Sequence, residues 1–234
     1  TGDGNTNRDI TNDANSGDFR PDFLWLKNRT DGSTQHFWFN SSVGMPNHLN
    51  SDLSDVEQTA TNKATAFNAD GFRVQDHSQV NGSSKNYVAW QWVCNGSTTS
   101  SNTNGSITST VQVNDTAGFS IVLYTGNETA GATIGHGLSA APDVIIVKNR
   151  DTNRTWLLGH QGYVDGGNSE NLRLNSTDAV ASADNQAGSG WHRTAFGSST
   201  FAVGSGVDGD YTSSTNNGTD DHVAYCFREI KGYS

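Results

Sequence analysis

Charge is scarce in this chain and one-sided. Only 16% of its 234 residues are charged, and 14 Lys and Arg stand against 24 Asp and Glu, for a formal net charge of −10. A phosphate backbone needs a dense basic footprint, which these scattered cations do not supply, so no nucleic-acid partner is expected. The negative balance also opposes adsorption to an anionic surface and serves solubility. Long apolar runs are missing too, which argues against membrane insertion by a helix, and no signal peptide or lipidation motif is visible. Cysteine occurs twice, at Cys94 and Cys226, without CxxC or Cys/His metal spacing. Both lie beside aromatics on expected strands, where a free thiol behaves as a small hydrophobe. Glutamate is confined to Glu57, Glu128, Glu170 and Glu229, and none falls in a Glu-x-Asp-x-x-Glu frame of the kind that glycoside hydrolysis needs. HExxH, a Gly-x-Ser-x-Gly elbow and a phosphate-binding loop are likewise lacking, so the chain reads as non-catalytic and without a cofactor.

What the sequence does contain is one pattern used twice. Pro21-Asp22-Phe23-Leu24-Trp25-Leu26-Lys27-Asn28-Arg29 returns as Pro142-Asp143-Val144-Ile145-Ile146-Val147-Lys148-Asn149-Arg150, an offset of 142 − 21 = 121 residues. The offset grows to 174 − 49 = 125 at Leu49 against Leu174, and to 195 − 66 = 129 at Ala66 against Ala195. It reaches 223 − 88 = 135 at Val88 against Val223, while Thr1-Gly2 matches Thr125-Gly126. Landmarks that keep their order while loops lengthen are the mark of a drifted duplication, not of a short-period solenoid. Each copy is long enough for its own core, so two domains are expected, residues 1–116 and 117–234.

Each copy of the repeated stretch reads as a strand. Proline precludes a helix, the apolar run lacks alternation and so is covered on both faces, and Lys-Asn-Arg opens a turn. Asp31-Gly32 separates the first copy from Gln35–Asn40 at hairpin spacing. Further strands are expected at Gly71–Val74, Tyr87–Cys94, Ile107–Val113, Gly118–Tyr124 and Val223–Phe227, whereas residues 51–63 and 176–186 read as loops. Along Tyr87–Cys94 the period of two groups Val88, Trp90, Trp92 and Cys94 on a face expected to be core. Short strands, Asn-Gly and Asp-Gly turns and no convincing helix make an all-β protein of two tandem β-sandwiches. Gly118–Tyr124 precedes the second copy but has no counterpart before Thr1, and Gly232-Tyr233-Ser234 resembles Gly118-Phe119-Ser120. The chain is therefore expected to be part of a longer array.

These motifs carry a resemblance. Pro-Asp-(apolar)-Lys-Asn-Arg, Asn68-Ala69-Asp70-Gly71-Phe72 and Tyr87–Trp92 are followed in order by Asn102–Val111, Ala117–Gly126 and Val223–Ser234. The series resembles the tandem modules of marine bacteriophage virion proteins, especially those infecting cyanobacteria. The resemblance implies a concanavalin-A-like, jelly-roll fold in a tail-fibre-like protein at the virion surface. It implies host-surface glycan attachment and partners among copies of the chain, as a homo-oligomer such as a trimer, or among other virion proteins. The alternative is a purely structural capsid decoration or fibre shaft with no ligand.

Sugar recognition would use exposed aromatics that stack on pyranose faces beside Asp and Asn. Trp38, Trp156 and Trp191 are the candidates because each adjoins a polar turn; the competing reading makes them core. The acidic insertion from Val207 to Asp221 supplies candidate Ca²⁺ ligands in Asp208, Asp210, Asp220 and Asp221, since a hard cation takes oxygen from flexible loops. It lacks the complete EF-hand frame, so a solvated loop is the competing reading.

Overall fold

The computed structural model describes the chain apart from residues 14, 16, 165–168, 180, 184–189, 205–213 and 232–234. It is all-β, built from antiparallel sheets, with two compact units: Thr1–Leu53 with Glu57–Ser97, and Ser54–Val56 with Thr98–Ser234.

The first unit contains β1 (Arg8–Ile10), β2 (Phe23–Asn28), β3 (His36–Asn40), β4 (Asn47–Asn50), β5 (Gln58–Thr59), β6 (Ala64–Phe67), β7 (Phe72–Val74), the single turn α1 (Ser78–Asn81) and β8 (Tyr87–Trp92). Its sheets run β5-β4-β3-β2-β8 and β1-β7-β6. Leu24, Leu26, Phe37 and Phe39 of the larger sheet meet Ala64, Phe72 and Val74 of the smaller one, with Val80 closing the core. Full burial of each large apolar side chain is worth about 1.5–3 kcal/mol, and the layered arrangement is sandwich-like.

The repeated stretch earns its two polar ends here. Asn28 closes the hairpin as an Asx turn, its side-chain oxygen accepting the N–H groups of Thr30 at 2.8 Å and Asp31 at 3.0 Å. Asp22, fully buried, accepts from the backbone of Cys94, Gly96 and Ser97 at 2.7, 2.9 and 3.0 Å, and from Ser41 Oγ and Arg20 Nη1. The carboxylate thus ties the exit of β8 to the entry of β2. In the second unit Asn149 likewise accepts from Asp151 and Thr152, and Asp143 accepts from the Glu229 N–H at 2.6 Å.

The second unit contains β9 (Ser100–Asn102), β10 (Ser109–Asn114), β11 (Phe119–Thr125), β12 (Thr133–Gly135), β13 (Val144–Asn149), β14 (Leu157–His160), α2 (Gln161–Val164), β15 (Ser169–Arg173), β16 (Ala181–Ala183), β17 (Trp191–Phe196), β18 (Thr200–Val203) and β19 (Asp221–Phe227). Its sheets run β16-β15-β14-β13-β19-β11-β10-β9 and β12-β18-β17. The core between them gathers Val122, Tyr124, Ile145, Val147, Leu157, Trp191, Phe201, Ala224 and Cys226. β9 and β10 lie before residue 116 yet pair onward to β11, inside this unit's sheet.

Registers correspond between the units. Trp25 faces Trp38 and Trp90 across β3 and β8, as Ile146 faces Leu158 and Tyr225 across β14 and β19. Asn28 faces Tyr87 as Asn149 faces His222, and Phe67 faces Phe72 as Phe196 faces Phe201. One difference stands out: β19 lies between β13 and β11, whereas β8 ends its sheet.

That difference corrects the reading of β8. The side chains turned toward the core are Tyr87 and Ala89, packed against the apolar cluster, whereas Trp90 on the opposite face is 42% exposed. Alternation separates two faces but does not rank them, and here both are apolar. Other corrections are local. Short strands β5 and β16 occur inside the two expected loops, and β4, with the sequence Asn-His-Leu-Asn, becomes a strand through its pairing with β3. Such strands come from tertiary pairing and not from propensity.

Candidate functional site

The outer face of the β3-β2-β8 sheet carries an aromatic cluster. Strand alternation brings Trp25 of β2 opposite both Trp38 of β3 and Trp90 of β8, with ring centroids 5.4 and 4.7 Å away. Phe23, one step along, meets Trp38 edge-on at 4.9 Å and Trp92 at 5.1 Å. Contacts at these separations and tilts are favourable between quadrupoles beyond the area they bury. Trp90 is the exposed large hydrophobic side chain of the described residues.

Polar groups border the cluster. Trp25 Nε1–H donates to His36 Nδ1 at 3.1 Å, which fixes that nitrogen as an acceptor and the imidazole as neutral. Burial, then the neighbouring Lys27 ammonium, hold the His36 pKa below its ordinary value, against a small opposing pull from Asp52. Asp52 accepts the His36 backbone N–H at 2.9 Å. The cluster thus combines aromatic faces, for stacking, with an imidazole and a carboxylate beside Trp25, for hydrogen bonding.

Of the three tryptophans singled out from sequence, Trp38 belongs to this cluster and Trp156 and Trp191 lie in the second unit. Trp38 is 2% exposed, beside Trp25, and Trp156 and Trp191 are fully buried. None of them presents a face to a ligand. Trp191 belongs to the second core, edge-on to Phe196 at 5.5 Å, and its ring fits only because Gly159 lies against it; a Cβ there would stand 2.9 Å from the indole. A polar turn next to a tryptophan thus marked the end of a strand and not exposure. Trp90 was missed for a related reason: its strand neighbours made it look like core, and among the described residues no strand lies beyond β8 to cover it.

Of the metal candidates, Asp208 and Asp210 lie outside the described residues. Asp220 accepts from Asn149 Nδ2 at 2.8 Å, from Thr152 Oγ1 at 2.6 Å and from Asn217. Burial pushes its pKa up, but these hydrogen bonds and the His222 charge outweigh that and leave it below the ordinary value. Asp221 accepts from Thr125 Oγ1 at 2.9 Å and lies 3.8 Å from Arg150. Both carboxylates therefore serve the turns around Asn149, and among the described residues no cluster of three His, Cys, Asp or Glu could hold an ion.

Two lysines are buried, one in each unit. Lys63, 9% exposed, places Nζ 3.2 Å from His48 Nε2 and 4.3 Å from the Phe37 ring centre. Burial and the Lys63 charge lower the His48 pKa to about 4, so the imidazole stays neutral and its Nε2 accepts a hydrogen bond from the ammonium. Lys148, fully buried on β13, donates to the Asn149 carbonyl at 2.7 Å. Cys94 and Cys226 are both buried free thiols.

Comparison with known proteins adds a family and no activity. No curated protein and no solved structure matches the chain. The family described as a domain of unknown function, DUF7483, matches residues 1–234, and the chain belongs to it.

Proposed function

We propose that the chain is a non-catalytic recognition protein made of two tandem β-sandwich modules, and that it contacts surface glycans through Trp90 and Trp25. The corresponding strand orders and registers support a duplication, with β2, β3 and β8 matched by β13, β14 and β19. The resemblance of its motifs to virion modules supports a jelly-roll, concanavalin-A-like assignment and a place on an external phage appendage. The observation that carries the ligand reading is the 42% exposure of Trp90 on an otherwise packed aromatic cluster. An indole left open on an aromatic cluster offers a flat stacking surface to a ligand.

A glycan array with the intact chain and its Trp90→Ala variant tests this. Saturable binding that Trp90→Ala abolishes and Trp90→Phe restores in part is the expected outcome; binding that is absent, or indifferent to Trp90, refutes it. The second reading, a structural virion protein with no sugar ligand, is favoured by the burial of Trp38, Trp156 and Trp191. Binding in which neither glycan nor host cell is retained would leave that reading standing.

A further inference from the structure

In the second unit, β11 runs antiparallel to β19 and pairs with it from Phe119 opposite Phe227 to Thr125 opposite Asp221. Its inward side chains complete the core. Tyr124 stacks on His222 at 5.1 Å, meets Phe201 edge-on at 6.0 Å and donates its hydroxyl to the Thr215 carbonyl at 2.7 Å. Its outward Ile121 stands opposite Tyr225, which is fully buried.

The first unit has the receiving half of this arrangement and no described strand in it. Among the described residues β8 pairs with β2 alone. The Arg29 N–H donates to the Asn86 carbonyl at 2.7 Å, which sets the pairing phase toward β2. Alternation then turns the backbone groups of Tyr87, Ala89 and Gln91 to the far side. Beside that edge lies a cavity of about 280 Å³ whose lining includes Ile10, Leu26, Phe72, Val80, Tyr87 and Ala89. Phe72, Val80 and Tyr87 correspond to Phe201, Thr215 and His222, the three residues that enclose Tyr124. The exposure follows the same pattern: Tyr87, Val88 and Ala89 are half-buried where His222, Val223 and Ala224 are fully buried.

Thr1 corresponds to Thr125, the last residue of β11. Its Oγ1 donates to Asn86 Oδ1 at 2.9 Å, as Thr125 Oγ1 donates to Asp221 Oδ1 at 2.9 Å. Gly2 then packs on the Asn81 and Gly82 backbone as Gly126 packs on that of Asn216 and Asn217.

We propose that β8 and its adjoining cavity form an acceptor for a β-strand of the Phe119–Thr125 type, supplied by a neighbouring module of this same kind. The strand adds antiparallel to β8, its backbone joins Tyr87, Ala89 and Gln91, and alternate apolar side chains fill the cavity, with a tyrosine at the end nearest Thr1. Main-chain hydrogen bonds give such an addition its affinity and the pockets give it selectivity. An unpaired edge with an empty apolar slot is otherwise an aggregation hazard. The inference rests on the correspondence of the two units and not on glycan binding; an added strand would bring its Ile121 position opposite Trp90, so the two readings compete for one face, with Trp90-dependent glycan binding testing the first and protection of the β8 amides testing the second.

The test adds a synthetic peptide, Gly118–Thr125 with lysines appended for solubility, to the intact chain. Saturable 1:1 binding, at least about tenfold slower hydrogen exchange at Tyr87, Ala89 and Gln91, and a higher melting temperature of the first unit are expected. A peptide with aspartate at the Val122 and Tyr124 positions should do none of this. Because the peptide itself can self-associate, the same eight residues fused directly ahead of Thr1 give a second measurement, with protection of the same three amides expected. The proposal is overturned if neither peptide nor fusion protects them. It is equally overturned if they are already protected in the chain alone and lose that protection on dilution, which would assign the edge to a second β8.

Discussion

Replacing Lys148 with Met should turn a pH-dependent protein into one much less so. Burial lowers the Lys148 pKa from 10.5 to about 7, with Asp55 pulling it back up and Arg154 pushing it further down. The unfolded chain holds this proton up to about 10.5 and the folded chain only to about 7, so wild-type stability rises with pH across that window. The penalty is largest below pH 7, at roughly 5 kcal/mol by the conversion of 1.36 kcal/mol per pKa unit. About 2 kcal/mol of it should disappear between pH 7 and pH 9. Lys148→Met removes the penalty and gives up one hydrogen bond to the Asn149 carbonyl, worth about 1 kcal/mol. The variant should therefore exceed the wild type at pH 7 by a few kcal/mol, with the gap narrowing by about 2 kcal/mol at pH 9. Guanidinium unfolding of both proteins at the two pH values measures this. The window stops at pH 9 because Cys226, whose thiol burial raises to about 12, opposes the slope as the unfolded thiol ionises above its ordinary 9.0. That contribution is common to both proteins and cancels in the difference. A gap independent of pH, or one that widens toward pH 9, would refute the account of a desolvated lysine.

Trp191→Ala should cost about 3–5 kcal/mol by emptying the second core, while Trp90→Ala should cost no more than about 1–2 kcal/mol because so much of that ring already meets water. Equal losses in chemical denaturation would contradict the difference in burial. Gly159→Ala should destabilise the second unit by about 1–3 kcal/mol, since the added methyl collides with Trp191 and Phe196; an unchanged melting temperature would show that these rings move aside freely.

The sequence by itself determined the strands of the repeated motif, their hairpins and the matching order of landmarks. Local chemistry is enough for that: Pro21 and Pro142 preclude helix, Asn28 and Asn149 close turns through their own neighbours, and the four apolar residues between them in each copy fill a strand covered on both sides. It also determined which side chains of β8 share a face, because the period of two is a property of the backbone. Tertiary structure alone decided which of those faces met the core. Trp90 and Tyr225 occupy corresponding registers, and one is 42% exposed while the other is fully buried. What separates them is β11, which covers β19 and has no described counterpart beside β8. Burial belongs to a residue's neighbours across the sheet, and those neighbours lie far away in sequence. The same reason hid the roles of Trp38, Trp156 and Trp191, whose polar flanking turns say where each strand ends and nothing about what packs over it. It hid the cavity beside β8 as well, since its lining residues, from Ile10 to Ala89, come together only in the fold.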